Sequence, residues 1–373
     1  MSVVRFDQIA RECRETFKSS FEGKPIVGLE HIAPYDMLLK NYDVDVETTF
    51  TKSFKKGQIL FGRRRAYQHK ACVATIDGIC SGDITVIEPI EGKVYPDLLP
   101  FIIQNDNFFE HAIKGSNGAL SPRVKWEHMA NFEFNLPSLA EQKVLAEKLW
   151  AAYEVKQSYL KMIAATEEMV KSQFIEMFDF KDKGLYRTWG ELFETQLGKM
   201  LDKNKQNPKD TSCQYLANIN VQWGFFDMTN LNFMTFKENE LLKFELKPND
   251  LLICEGGDAG RCAVWKEGDS KIKYQKAIHR ARPIDGTIID VNYVQYYIQY
   301  YKKCGKLYDF ITKGTIEHLT GEKLNEVPVF VPPMDQQHQF VLFAQQADKS
   351  ISELRKSVDA IDKVIKSLIN ENL

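Results

Sequence analysis

The chain has little of what marks membrane, secreted or metal-binding proteins. None of its apolar runs approaches the roughly 20 residues needed to cross a bilayer. Charged residues at positions 5 and 7 stand where a signal peptide needs an apolar core. The seven cysteines include no C-x-x-C pair and have no histidine at zinc-finger spacing, so we expect reduced, mostly buried thiols. These features predict a cytoplasmic protein without a metal site.

Motifs of DNA-modifying enzymes are missing as well. There is no Asn/Asp-Pro-Pro-aromatic tetrad of an amino-methyltransferase, no glycine-rich cofactor loop and no helicase motif. The seven histidines form no i,i+4 ligand pair. Two Glu-x-Lys triplets, at 91–93 and 245–247, leave a metal-dependent nuclease as an alternative, although such triplets arise by chance in a charged chain. The sequence therefore predicts no catalytic residue and no cofactor in this chain.

What the chain does contain is one pattern used twice. Leu136–Gln142 and Val331–Gln337 each place an apolar-proline step and a polar turn before a long helical pattern, 195 residues apart. Apolar positions then alternate in steps of four and three, which is a heptad seam. The second seam is Phe340, Ala344, Ala347, Ile351, Leu354, Val358, Ile361, Ile365 and Leu368. The first keeps the same phase, with polar departures at Lys156, Thr166 and Gln173.

This pattern predicts an α+β chain of globule, long helix, globule, long helix, with boundaries at 1–138, 139–178, 179–333 and 334–373. About 40 residues of helix extend for roughly 60 Å, and an apolar stripe of that length needs a partner. The available partner is the repeated helix. Two amphipathic helices that each pack on their own globule are the alternative.

A basic window lies in the first globule, among short β-like runs. Between Glu47 and Asp77 there are seven lysines and arginines and no acid. Arginine side chains suit phosphates and guanine edges, and the window supplies the candidates Arg63, Arg64, Arg65, Tyr67, His69 and Lys70. A turn further along adds Lys114, Ser116 and Asn117 as a phosphate site. A solvated strand edge and a plain glycine turn are the respective alternatives.

The second globule, 179–333, carries a similar set. A glycine-rich segment, Glu255–Arg261, predicts a tight turn that brings the backbone close to a ligand such as a phosphate. Residues 270–284 contain five lysines and arginines and no acidic residue. Candidates here are Arg261, Lys273, Tyr274, Lys276, His279, Lys313 and Thr315. Lys313-Gly314-Thr315 repeats Lys114-Gly115-Ser116, so the globules are interpreted as diverged copies of one fold.

In order and duplication these features resemble the specificity (S) subunit of type I restriction–modification enzymes. The resemblance covers essentially the whole chain and depends most on Leu136–Gln142, Pro332–Gln337, Phe61–Asp83 and Cys254–Arg282. It implies two target recognition domains that each read half of a split double-stranded DNA site. It further implies that the helices form an antiparallel coiled-coil spacer which docks two methyltransferase subunits.

The same resemblance implies that partner subunits, and not this chain, carry out the chemical reactions. The methyltransferase subunits bind S-adenosylmethionine and methylate adenine, and a restriction and translocase subunit can join. Three alternatives stay open at this point. They are a two-domain coiled-coil scaffold that binds proteins without reading DNA, a nuclease, and the recognition chain of an enzyme whose catalytic part is one separate polypeptide.

Overall fold

A computed structural model describes residues 2–17, 23–116, 121–178, 180–200, 210–268, 271–312 and 317–373. It is an α+β chain with two β-rich compact units and long helices, as predicted. Unit 1 comprises residues 1–163 and 353–373, and unit 2 comprises residues 164–352. Each unit thus includes parts of both long helices. The four predicted segments, which separate the helices from the globules, remain a prediction.

Unit 1 is built from short strands in three sheets. A four-stranded antiparallel sheet has the order β2-β8-β5-β6, a three-stranded sheet has the order β3-β7-β4, and β1 pairs with β9. All four residues of β5 are buried, which explains its unbroken apolar sequence. The strands are β1 (Ser2–Arg5), β2 (Ala10–Cys13), β3 (Ile26–Val27), β4 (Lys52–Phe54), β5 (Ile59–Gly62), β6 (Ala71–Val73), β7 (Gly78–Cys80), β8 (Ile84–Pro89) and β9 (Glu133–Leu136).

Four α-helices of the chain begin in unit 1. They are α1 (Leu99–Ile103), α2 (Asp106–Lys114), α3 (Trp126–Ala130) and the long α4 (Leu139–Met177). Short 3-10 helices span Phe6–Gln8, Leu29–His31, Ala66–Gln68 and Pro96–Leu98. The core packs aromatic side chains of α2 against β5, with Phe61 and Phe109 stacked at 5.3 Å between ring centroids. Leu149 and Tyr153 from α4, together with Ile369, complete that core.

Unit 2 also contains three sheets. An antiparallel sheet has the order β11-β17-β14-β15, a three-stranded sheet has the order β13-β12-β16, and β10 pairs with β18. The strands are β10 (Tyr186–Thr188), β11 (Phe193–Leu197), β12 (Thr211–Leu216), β13 (Asn232–Phe236), β14 (Leu251–Cys254), β15 (Cys262–Val264), β16 (Lys273–Tyr274), β17 (Ile278–Pro283) and β18 (Pro328–Phe330).

The helices of unit 2 pack an aromatic core. They are α5 (Trp189–Leu192), α6 (Glu238–Lys243), α7 (Val291–Lys303), α8 (Gly321–Glu326) and the long α9 (Met334–Asn372), with 3-10 helices at Lys183–Leu185, Asn218–Asn220 and Lys306–Asp309. Phe174 of α4 meets Phe340 of α9 at 4.9 Å between ring centroids, inside this unit. Tyr293 of α7 is fully buried beside them.

The long helices begin at the repeated pattern. Each extends for 39 residues, about 58 Å at 1.5 Å per residue. Ser138 caps α4 in a capping box: its hydroxyl accepts from the Glu141 N–H at 3.4 Å, and the Glu141 carboxylate accepts from the Ser138 hydroxyl and N–H at 2.8 and 2.9 Å. In the part of the chain that the structure describes, no helix is long and apolar enough to cross a membrane.

Candidate nucleic-acid interface

The three consecutive arginines of unit 1 follow directly from the buried strand β5. Their backbone is held on two sides: the Arg63 N–H donates to the Asp83 carbonyl at 3.0 Å, and the Arg65 N–H donates to the Pro122 carbonyl at 2.9 Å. Arg65 takes the left-handed conformation, with φ of 54°, and is exposed. These bonds fix the direction of a strongly basic segment where it leaves the sheet.

Two of these arginines have defined side-chain environments. The Nε of Arg63 is buried and has no hydrogen-bond partner among the described residues. The Nε of Arg64 donates to the Ser121 hydroxyl at 2.5 Å, and its Nη1 lies 3.6 Å from the Asp83 carboxylate. Asp83 also accepts from Arg123, at 2.7 and 3.3 Å, and that hydrogen bond lowers the pKa of the Asp83 carboxyl.

Arg123 was missed by the sequence analysis. It lies outside the basic window, but a β-bridge brings its backbone beside Arg64. The position of Arg123 shortly after the predicted phosphate turn is a weak local signal, and it does not indicate the pairing with Arg64.

A polar cleft of about 900 Å³ opens beside this segment. Basic and acidic side chains alternate around it with hydroxyls, and Lys52 donates to the Ile84 carbonyl at 2.8 Å. Arg14 is paired with Glu12 at 2.8 Å. The lining is Glu12, Arg14, Thr16, Thr49, Phe50, Thr51, Lys52, Arg63, Ser81, Gly82, Asp83, Lys125, Trp126 and Glu127. Such a mixture of donors and acceptors suits base edges as well as phosphates.

The rest of the first basic window divides into exposed and packed residues. Tyr67 is 55% exposed, beside exposed Arg65. His69 stacks on Tyr35 at 4.8 Å and lies 4.4 Å from the Phe109 ring. The Lys70 ammonium donates to the Leu29 carbonyl at 2.6 Å. His69 and Lys70 therefore have structural partners within the globule, whereas Arg65 and Tyr67 face solvent.

The predicted phosphate turn follows α2. Lys114 is exposed at the last position of that helix, and the Ser116 hydroxyl donates to the Ala112 carbonyl at 3.2 Å. Ser116 thereby satisfies a carbonyl of the last turn, as expected of a helix end. Asn117 lies outside the described residues.

The predicted tight turn of unit 2 is present between β14 and β15. Gly257 and Gly260 have φ of 75° and 88°, and the Gly260 N–H donates to the Cys254 carbonyl at 2.9 Å. The positive φ of Gly260 favours glycine, and a Cβ there would also come within 2.4 Å of the buried Leu307 side chain. Arg261 Nη2 donates to the Asn218 carbonyl at 2.8 Å. Arg261 therefore helps to hold this turn in place.

Part of the second basic window lies inside the protein. Lys273, Tyr274 and His279 are buried, and Lys276 is exposed. His279 Nε2 is 3.1 Å from the Leu319 carbonyl, and burial lowers the pKa of its imidazole. These three buried side chains have no surface to offer DNA in this structure, so burial counts against that prediction. Lys313 and Thr315 lie outside the described residues.

Two further arginines of this window form internal ion pairs. Arg282 makes a bidentate pair with fully buried Asp250, at 2.7 and 2.8 Å. Buried Arg280 lies 3.3 Å from Glu194. The acids that pair with these two arginines therefore lie outside the window, elsewhere in unit 2.

Within the ranges that the structure describes, cysteines and acids show no arrangement typical of a metal site. Among the described residues, no three His, Cys, Asp or Glu side chains are grouped to hold a metal ion. Burial raises the pKa of Cys72 and of Cys80 to about 12, so both thiols are protonated at neutral pH. Glu245, from one Glu-x-Lys triplet, pairs with Lys247 at 3.3 Å.

Comparisons with known proteins agree on one family. The profile of the type I restriction modification DNA specificity domain matches residues 9–158 and 185–361. The chain is similar to the type I restriction enzyme EcoDI specificity subunit of Escherichia coli, with 26% identity over 153 residues. That match covers 40% of this chain and about a third, 34%, of the relative's length.

Two solved structures share the fold. One is a chain from work on complex assembly and conformational transition of the type I R-M system, with a TM-score of 0.59, 16% identity, and coverage of 100% of this chain and 97% of that one. The other is the type I restriction-modification S subunit from M. genitalium, with a TM-score of 0.57, 12% identity, and coverage of 99% and 94%.

Proposed function

The chain belongs to the type I restriction modification DNA specificity domain family, and from this premise we propose that it selects the DNA sequence on which a type I complex acts. Each unit reads one half of a bipartite double-stranded site. The observation that carries the proposal is the family match to two separate stretches, 9–158 and 185–361, which together cover most of the chain. The scaffold alternative is not favoured, because that family is defined by DNA specificity.

Chemistry belongs to partner subunits in this proposal. Two methyltransferase subunits bind S-adenosylmethionine and modify adenine, and restriction subunits join where the system has them. The chain itself is a recognition subunit without a catalytic group or cofactor. Its place of action is the cytoplasm, where the DNA is.

A repeat of one recognition fold is supported by contacts inside each unit. Gln142 is buried, donates to the Pro137 carbonyl at 2.9 Å and accepts from the Tyr95 N–H at 2.8 Å. Gln337, 195 residues later, is buried, donates to the Pro332 carbonyl at 2.7 Å and accepts from the Asp290 N–H at 2.9 Å. The four-stranded sheets of the two units also follow the same order of strands along the chain.

Antiparallel pairing of the long helices is supported in the same way. Within unit 1, Lys156 of α4 forms a 2.6 Å ion pair with Asp362, near the end of α9. Within unit 2, Phe174, near the end of α4, packs on Phe340, near the start of α9. In each unit an earlier part of one helix contacts a later part of the other, which supports an antiparallel pair.

DNA contact from unit 1 is proposed for the basic segment and the cleft beside it. Arg63, Arg64, Arg65 and Lys114 supply charge to phosphates, and Tyr67 offers an exposed ring. From unit 2, Arg261 and exposed Lys276 are the described candidates that reach the surface. Lys70, His69, Ser116, Lys273, Tyr274 and His279, and the three candidates outside the described residues, stay predictions with less support.

Reconstitution with a methyltransferase subunit tests the function. Methyl transfer from labelled S-adenosylmethionine to unmethylated plasmid DNA is expected when both chains are present. It is not expected with the methyltransferase subunit alone. Equal methylation with and without this chain would contradict the proposal. A stable protein complex that neither binds nor methylates DNA would instead support the scaffold.

A further inference from the structure

Asp83 lies between two arginines of unit 1, Arg64 and Arg123. It lies in the turn before β8 and lines the polar cleft. Its carboxylate accepts two hydrogen bonds from Arg123, at 2.7 and 3.3 Å, and lies 3.6 Å from Arg64. The side chain is 21% exposed, so these charge interactions are partly shielded from water. One carboxylate therefore neutralises two arginines of the proposed interface.

The two arginines are held in place as well as neutralised. A β-bridge joins the backbones of Arg64 and Arg123, and the Arg64 Nε donates to Ser121 at 2.5 Å. Their guanidinium groups converge on Asp83 from two neighbouring segments. An arginine that must leave a carboxylate to reach a phosphate gains less than one that leaves only water.

We propose that Asp83 is a positioning residue that sharpens the DNA specificity of unit 1 by restraining Arg64 and Arg123 on non-target DNA. The inference rests on the proposed function and deepens it. On a target duplex, base contacts in the cleft hold phosphates in register, and the arginines exchange the carboxylate for phosphate. On DNA of any other sequence no such register exists, and the arginines stay with Asp83.

Salt dependence of non-target binding distinguishes this role from a structural one. Each phosphate neutralised adds about 0.9 to the steepness of log K against log salt. For the full chain with Asp83→Asn on a mixed-sequence duplex of roughly 30 base pairs, we expect a slope steeper by about 0.9 per arginine released. At about 0.1 M salt this is roughly an eightfold gain in affinity for each released arginine. A residue that only supports the fold would weaken binding without steepening the slope.

Glu91→Gln is the matched control. It removes one negative charge from an exposed turn of unit 1 that does not line the cleft. Its effect reports the change in net charge alone, and we expect a slope close to that of the wild type. An Asp83→Asn slope equal to that of Glu91→Gln overturns the inference. A wild-type chain that binds no DNA, alone or with a methyltransferase subunit, overturns the proposed function together with it.

A second variant decides the matter if Asp83→Asn does not fold. Arg123→Gln, in an otherwise unchanged chain, is expected to leave the non-target salt slope unaltered, because Arg123 stays with Asp83 on such DNA. A slope flatter by about 0.9 would show that Arg123 already contacts non-target phosphates and would overturn the restraint.

Discussion

Gln337 offers the sharpest test of how the repeated pattern holds the fold. Its amide joins three backbone groups: it accepts from the Asp290 N–H at 2.9 Å and donates to the Ile288 and Pro332 carbonyls at 3.0 and 2.7 Å. Leucine is similar to glutamine in side-chain volume, so this replacement removes all three hydrogen bonds without leaving a large cavity. Each buried backbone group left unsatisfied costs about 1–3 kcal/mol. Ile288 is exposed, so its carbonyl can turn to water.

The Asp290 N–H and the Pro332 carbonyl are then the two groups left unsatisfied. We therefore expect Gln337→Leu to lower the free energy of unfolding by about 3 kcal/mol. For a unit of this size that lowers Tm by about 6–12 °C, measured by differential scanning calorimetry. Gln142→Leu leaves the equivalent two groups unsatisfied in unit 1, the Tyr95 N–H and the Pro137 carbonyl, and is expected to cost a similar amount, about 3 kcal/mol. Gln336→Leu, at an exposed neighbouring position, is the control. A Gln337→Leu protein that melts together with this control would refute the reasoning.

Three further predictions concern the charges. Arg282→Met leaves the fully buried Asp250 carboxylate unpaired and is expected to cost about 3–5 kcal/mol in denaturant unfolding; Lys276→Met, at an exposed site, should cost under about 0.5 kcal/mol. Burial lowers the folded-state pKa of His279, so stability present above the unfolded value of about 6.5 is lost as pH falls below it. His279→Gln should flatten the dependence of melting temperature on pH between about 7.5 and 5.5; parallel curves for wild type and His279→Gln would contradict this. Arg64→Ala should weaken target-DNA binding and flatten its salt slope by about 0.9, whereas exposed Lys93→Ala should do neither; unchanged binding by Arg64→Ala would remove that arginine from the interface.

Local pattern was enough to predict the elements around the two glutamines. The apolar-proline step, the polar turn and the heptad seam are all short-range features, and helix periodicity follows directly from them. The polar departure at Lys156 also has a physical reason. Its ammonium meets Asp362 inside unit 1, a partner that no local pattern could supply.

Long-range pairing explains what the sequence did not reveal. The lack of acids around Arg280 and Arg282 suggested an open basic surface, yet Glu194 and Asp250 pair with them from 86 and 32 positions away. Arg123 joins the basic segment through Asp83, 40 positions earlier. Whether a charge faces solvent or a buried partner depends on tertiary folding, which window composition does not contain.

Mapping methylated adenines across the host genome, with this gene present, deleted and carrying Arg64→Ala, tests the central claim most directly. The account predicts that one split motif is methylated with the intact gene and loses its methylation on deletion. It also predicts that Arg64→Ala lowers the methylation of that motif without changing the sequence of either half, as expected for the loss of a phosphate contact. A genome map without a split motif when the gene is present, or a motif that stays methylated after deletion of the gene, would contradict the account.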